Sequence, residues 1–154
     1  MKRLFAGLYA LALISLISLQ LPVQAQTAER SVGPFGYDAS KEVTLNGTVL
    51  SVLAKPSPGM VMGSHLLFTT PSGPVDASLG RFGLMGKGAL SVAPGQQVEV
   101  TGVMKTVKDK QVFLARTVKV GGQVYTIRNE HGFPVSPQAR ERANGKTAQK
   151  GESL

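Results

Sequence analysis

The sequence contains no cysteine and no tryptophan, and only two histidines, His65 and His131, in 154 residues. Without cysteine there is no disulfide framework, no thiolate nucleophile, no haem attachment motif, no lipoprotein anchor and no cysteine-based zinc site. Neither histidine belongs to a His-x-His, His-x-x-x-His or His-Glu-x-x-His spacing. His65 and His131, even with Asp76 or Glu130 as carboxylate partners, therefore offer little to a metal ion, and no cofactor is expected. A Gly-x-Ser-x-Gly elbow and a paired-carboxylate motif are missing too, which argues against an enzyme. The run Gly80–Gly88 contains a Gly-Lys pair, but Gly88 stands where a phosphate loop needs Ser or Thr. Acidic residues are scarce: 9 Asp and Glu stand against 17 Lys and Arg, a formal net charge of +8. The 18 Gly and 9 Pro stay below the share, roughly a quarter or more, that marks a disordered low-complexity chain.

What is present begins with an address. Lys2 and Arg3 precede an apolar run from Leu4 to Leu19, followed by Pro22 and the triplet Val23-Gln24-Ala25. This three-part pattern is that of a secretory signal, with cleavage expected after Ala25 and a periplasmic or secreted product. The run is slightly short of the about 20 apolar residues a spanning helix needs, so no membrane span is expected after cleavage. The product keeps its basic balance, and without disulfides it must be held by packing alone. Its length suits one domain. The organisation expected is a signal peptide at 1–25, a flexible lead-in at 26–40 onto which Phe35 and Tyr37 can dock, a β-domain at 41–133, and a basic tail at 134–154.

Within the β-domain, period-2 alternation dominates. Val43, Leu45, Val49 and Leu53 share one parity, interrupted by Gly47, as in a strand that bends into a second layer. Lys55-Pro56-Ser57-Pro58-Gly59 forces a loop. Ser64–Thr70 and Pro74–Leu79 read as a hairpin, with Val75, Ala77 and Leu79 opposed to Asp76 and Ser78. Residues 80–91 read as a loop or a poor short helix, because each glycine there costs about 1 kcal/mol in a helix. A fourth strand follows Pro94-Gly95, with Val98, Val100, Gly102 and Met104 on one face. Lys108-Asp109-Lys110 makes the turn into a fifth, Val112–Val120. Gly121-Gly122 then supplies a type I′ hairpin to Gln123–Arg128. Ser136-Pro137 can cap and open a helix that Asn144-Gly145 is expected to stop.

The order of these elements is that of a five- to six-stranded OB-like Greek-key barrel, all-β, with an extra C-terminal hairpin. At residue level, Val43-x-Leu45-x-Gly47-x-Val49, Val98-x-Val100-x-Gly102-x-Met104 and Phe113-x-Ala115-Arg116-x-Val118 resemble segments of the small exported bacterial OB-fold (BOF-like) periplasmic proteins. The resemblance covers about residues 42–120 and implies a periplasmic binding module, often without an assigned ligand.

The candidate ligand-binding residues are Arg81, Lys105, Lys108, Lys110, Arg116 and Arg128, basic positions on or near the loops at barrel ends, where OB folds take ligands. A positive mouth suits an anionic or small envelope ligand; an ordinary solubilising surface would look the same in sequence. Arg116 shares the parity of Leu114 and Val118, so it crosses a core face, lies beside a groove, or sits at an edge. Nucleic-acid binding needs stacking aromatics; Phe68, Phe113 and Tyr125 are the strand aromatics, and the export signal argues against that role. Two rivals remain: an adaptor for another envelope protein, through strand edges or the tail, and a metal-dependent activity. The module is expected to be monomeric.

Overall fold

The structure, a computed structural model, describes residues 36–150, with side chains described to residue 143. The expected signal peptide and Phe35 lie outside the described residues. Six strands follow one another: β1 (Val43–Leu53), β2 (Ser64–Thr70), β3 (Gly73–Gly80), β4 (Gln97–Val107), β5 (Lys110–Val120) and β6 (Gln123–Thr126), then helix α1 (Pro137–Lys150). Antiparallel pairings run β3-β2-β1-β4-β5-β6, and a parallel contact of β3 with β5 through Ala77–Phe113 and Ser78–Leu114 closes the first five strands into a barrel. This is the OB-type closed Greek-key ring, with β6 added outside it on β5.

β1 serves two neighbours, pairing β4 over Val43–Thr48 and β2 over Thr48–Leu53. The changeover needs Gly47: a Cβ there would lie 2.2 Å from the Thr69 carbonyl oxygen and 2.7 Å from Phe68. A bulge between Val49 and Ser51 then switches the strand's parity. Leu50 is consequently half exposed, Val52 rather than Leu53 packs on the core, and Val43 at the strand start is also half exposed.

The barrel interior is filled by Val49, Leu66, Phe68, Ala77, Leu79, Val98, Val100, Phe113, Ala115 and Val118. A second, smaller cluster lies on the other parity of β4 and β5: Val103, Val112 and Leu114, covered by Tyr37 and by Val61 of the β1–β2 loop. Simple alternation assigns that face to solvent and Met104 to the core; instead Val103 is buried and Met104 is half exposed. The cause is the chain wrapped outside the barrel, which gives β4 and β5 two apolar faces. The same wrapping buries both Ala77 and Ser78, so the clean inside–outside split expected for β3 fails at its end.

Residues 81–91 are turns without a helix, and they receive α1. A Cβ on Gly86 would lie 2.7 Å from Pro137, while Gly88 lies under Arg140. Ser136 accepts from the Ala139 amide at 3.3 Å and caps the helix. α1 continues through Asn144-Gly145 to Lys150 rather than stopping there; one interior glycine, at about 1 kcal/mol, is offset by flanking Ala, Lys and Gln. The start of the basic tail and its helix dock on the barrel: Val135 donates to the Ile127 carbonyl at 2.9 Å, and Arg140 is buried. Among the described residues no helix is long and apolar enough to cross a membrane.

Candidate functional site

The six basic candidates fall into three groups. Arg116 is the extra residue of a β-bulge: Thr101 pairs Thr117, Gly102 pairs Ala115, and Arg116 is left over. Its carbonyl, freed from the ladder, accepts from the amides of Ile127 and Arg128 at 2.7 and 3.1 Å. Its guanidinium grips Glu42, Nε to Oε1 at 2.5 Å and Nη2 to Oε2 at 2.8 Å. Tyr37 donates to the same Oε1 at 2.6 Å. This fork-on-carboxylate geometry commits the charge of Arg116 to Glu42, with about a third of the arginine side chain left exposed.

Arg128 is also withdrawn from the surface, with 3% of its area exposed. Nη1 donates to the carbonyls of Ser78 and Ala115, both at 2.6 Å, and Nη2 to the Ser78 hydroxyl at 3.1 Å. All three acceptors are neutral. Burial without a carboxylate beside it pulls its pKa down to about 10.

Lys105, Lys108 and Lys110 form the second group. Lys105 lies on β4 opposite Val112, and Lys108 and Lys110 lie at the β4–β5 turn, where Lys108 and Asp109 both adopt positive φ, 48° and 64°. Lys110 reaches the β1–β2 loop: its Nζ is 2.6 Å from where a Cβ on Gly59 would stand. Lys108 and Lys110 are exposed, Lys105 half-buried, and none of the three has a carboxylate partner among the described residues. Arg81 stands apart, exposed, its Cζ 5.9 Å from the Phe82 ring centroid. It is brought instead to a cavity that it shares with Arg128. The aromatics that a nucleic-acid groove would need are mostly withdrawn, since Phe68 and Phe113 are fully buried.

The model of the MamS/MamX magnetosome protein family matches residues 41–125, the span that holds the barrel strands. The chain belongs to the MamS/MamX magnetosome protein family. No curated protein matches it. The matched segment runs from just before β1 into β6, so this MamS/MamX member carries Lys105, Lys108, Lys110 and Arg116 inside the family's extent. Arg128 and α1 lie beyond it.

Three further groups of this family member are assembled by the fold. His65 is fully buried; its Nδ1 lies 2.6 Å from Asp76 Oδ1 and its Nε2 2.9 Å from the Val61 carbonyl. A carbonyl and a carboxylate only accept, so Nε2 donates to Val61 and the protonated ring donates from Nδ1 to Asp76 as well. Burial alone would lower its pKa, but the hydrogen bonds to Asp76 and Val61 outweigh it and raise the value above the ordinary 6.5. With both nitrogens donating, His65 has no lone pair for a metal, and no group of three His, Asp or Glu suited to a metal ion occurs among the described residues. Glu42 is the second: burial would raise its pKa, yet Arg116 and Tyr37 hold it below the ordinary carboxylate value. Tyr37 itself is pushed up, first by burial and then by Glu42. Arg140 is the third, donating from α1 to the carbonyls of Met85 at 3.3 Å and Val135 at 3.2 Å, and also to that of Phe82. The Glu42–Arg116 pair and the contacts of Arg140 with Phe82 and Met85 join distant parts of the chain, which local spacing does not encode.

Proposed function

We propose that the protein is an exported, non-catalytic OB-type binding module that takes an anionic ligand at the basic end of its barrel. The carrying observation is that three lysines without acidic partners among the described residues lie at one end of the β4–β5 hairpin, Lys105 on β4, Lys108 in the turn and Lys110 at the start of β5, and that Lys110 reaches Gly59 of the β1–β2 loop. In OB folds these two loops frame the ligand. The left-handed backbone at Lys108 supports the reading, because a lysine in that region is strained by about 1–2 kcal/mol, and such strain concentrates at functional positions. Membership of a magnetosome protein family supports placing the module at magnetosomes, and the amino-terminal address supports export.

The test is binding of polyaspartate and of a sulfated oligosaccharide at low and high salt, with single-stranded DNA alongside. The reading expects salt-weakened binding that is lost in Lys105→Glu/Lys108→Glu/Lys110→Glu while the melting temperature is kept. Undiminished binding by that variant sinks it. DNA bound more tightly than both other polyanions would reassign the ligand class.

A further inference from the structure

A half-open cavity of about 190 Å³, the liquid volume of roughly six waters, lies between the β1–β2 loop, the end of β3 and residues 128–134. Its lining is two-faced. Val61, Met62, Leu114 and Pro134 supply apolar wall, while Arg81 and Arg128 supply two positive charges; among the described residues no acidic side chain lines it. Arg128 is 97% buried by its 3% exposure, and its donors end on neutral oxygens, two carbonyls and one hydroxyl. A buried cation without a counter-charge is costly to the fold. An anion seated beside it would offset that penalty. Gly80 leaves the approach open: a Cβ there would stand 3.2 Å from Nη2 of Arg128 and 3.4 Å from Pro134.

We propose that this cavity binds a small organic carboxylate, its charged end between buried Arg128 and exposed Arg81 and its apolar end against Met62, Leu114 and Pro134. The apolar wall distinguishes this ligand from inorganic phosphate, which would gain nothing from it. The charges distinguish it from a neutral solute. Arg128 is fixed before binding by its three hydrogen bonds, so little order is lost when the carboxylate arrives. His65 holds the facing wall, because its Nε2 donates to the carbonyl of Val61. This site is separate from the lysine turn and stands or falls independently of the polyanion reading.

The experiment is a titration of the purified protein with hexanoate and benzoate, and with hexanol and inorganic phosphate for comparison, followed through the methyl resonances of Met62 and Leu114. Hexanoate or benzoate is expected to give a saturable shift, with phosphate and hexanol at least tenfold weaker. Arg81→Gln and Met62→Glu, both at exposed positions, are expected to weaken the carboxylate about tenfold or more with the fold intact. Lys105→Glu/Lys108→Glu/Lys110→Glu, which tests the polyanion site, is expected to retain at least a third of wild-type affinity. No saturable shift with either carboxylate, equal binding of hexanol, tighter binding of phosphate, or unchanged affinity in Arg81→Gln and Met62→Glu would each overturn the proposal.

Discussion

Glu42 and Arg116 are 74 residues apart in sequence and meet as a two-pronged ion pair, with Tyr37 donating a third hydrogen bond to the same carboxylate. The pair closes the β5 bulge against the start of β1 and ties in the segment that covers Val103, Val112 and Leu114. Arg116 is about one-third exposed and Glu42 is 14% exposed, so solvent moderates the Coulomb attraction while the hydrogen bonds keep their value. Glu42→Ala is expected to destabilise by about 2–3 kcal/mol, and Tyr37→Phe by about 1 kcal/mol. In urea unfolding, Glu42→Ala combined with Arg116→Ala should cost clearly less than the two single changes added. Strict additivity would mean that the pair contributes nothing.

Stability should peak between about pH 4.5 and 6.5. The folded-state pKa of Glu42 is depressed, so its contribution is complete above the ordinary value of 4.5 and is lost as pH falls through the lower folded value. That of His65 is raised, so its contribution is complete below 6.5 and is lost as pH rises through the higher folded value. His65→Gln, which keeps bulk without a titrating group, should flatten the alkaline limb in a melting-temperature profile and leave the acid limb in place. An unchanged alkaline limb would mean that His65 does not govern it.

Gly47→Ala should be among the most damaging single-methyl additions in the protein. The new Cβ would stand 2.2 Å from a backbone oxygen of β2, and a backbone atom, unlike a flexible side-chain tip, cannot step aside without breaking the β1–β2 register. An effect of about 3 kcal/mol or more is expected, at the upper end of overpacking costs, read by thermal unfolding. Gly95→Ala tests a different mechanism, since its Cβ meets nothing within 4 Å and only the positive φ of 87° opposes it; its effect should stay near 1–2 kcal/mol.

Gly47 also marks how far the sequence was legible. Its place inside an otherwise regular strand announces a bend and a close approach, and the alternation of Val98 with Val100, the Pro94-Gly95 break and the Gly121-Gly122 hairpin suffice for the barrel order. These are local signals. What alternation misses follows from non-local facts: the bulges at Leu50 and Arg116 change parity without any change in composition, and Tyr37 and Val61 turn a nominally outer face of β4 and β5 into a second core. Of the basic residues, the sequence supplies the set but not the sorting. Arg116 pairs with Glu42 just before β1, and Arg128 is held by neutral oxygens of β3 and β5, which no spacing rule encodes, whereas Lys108 and Lys110 lie on a turn that is readable directly.

Helix α1 should depend on Arg140 more than on its own residues. Its side chain spans from the helix to the turns at Phe82 and Met85, and its buried Nε has no acceptor among the described residues. Arg140→Ala removes three donor contacts and is expected to expose the amides of the helix's first turn to hydrogen exchange, with the barrel amides unaffected. Arg140→Lys should fall between, because one ammonium cannot span the same three carbonyls. Protection that persists in Arg140→Ala would assign the docking to Pro137 on Gly86 instead.

One variant of the β4–β5 turn tests stability and the proposed polyanion binding together. A two-residue hairpin with both φ values positive prefers Asn-Gly, yet this chain places Lys108 and Asp109 there, at 48° and 64°. Relieving that mismatch with Lys108→Asn/Asp109→Gly should stabilise the protein by about 1 kcal/mol and raise its melting temperature by a few degrees. The substitution changes two charges of opposite sign, so the net charge of the turn is conserved. If the lysine is there only for solubility, polyanion binding should be unchanged. If Lys108 is held in the left-handed region in order to aim its ammonium beside Lys105 and Lys110, the stabilised turn should bind polyaspartate several-fold more weakly despite the equal net charge. The melting curve and the binding curve of this one variant, measured in the same buffer, separate the two.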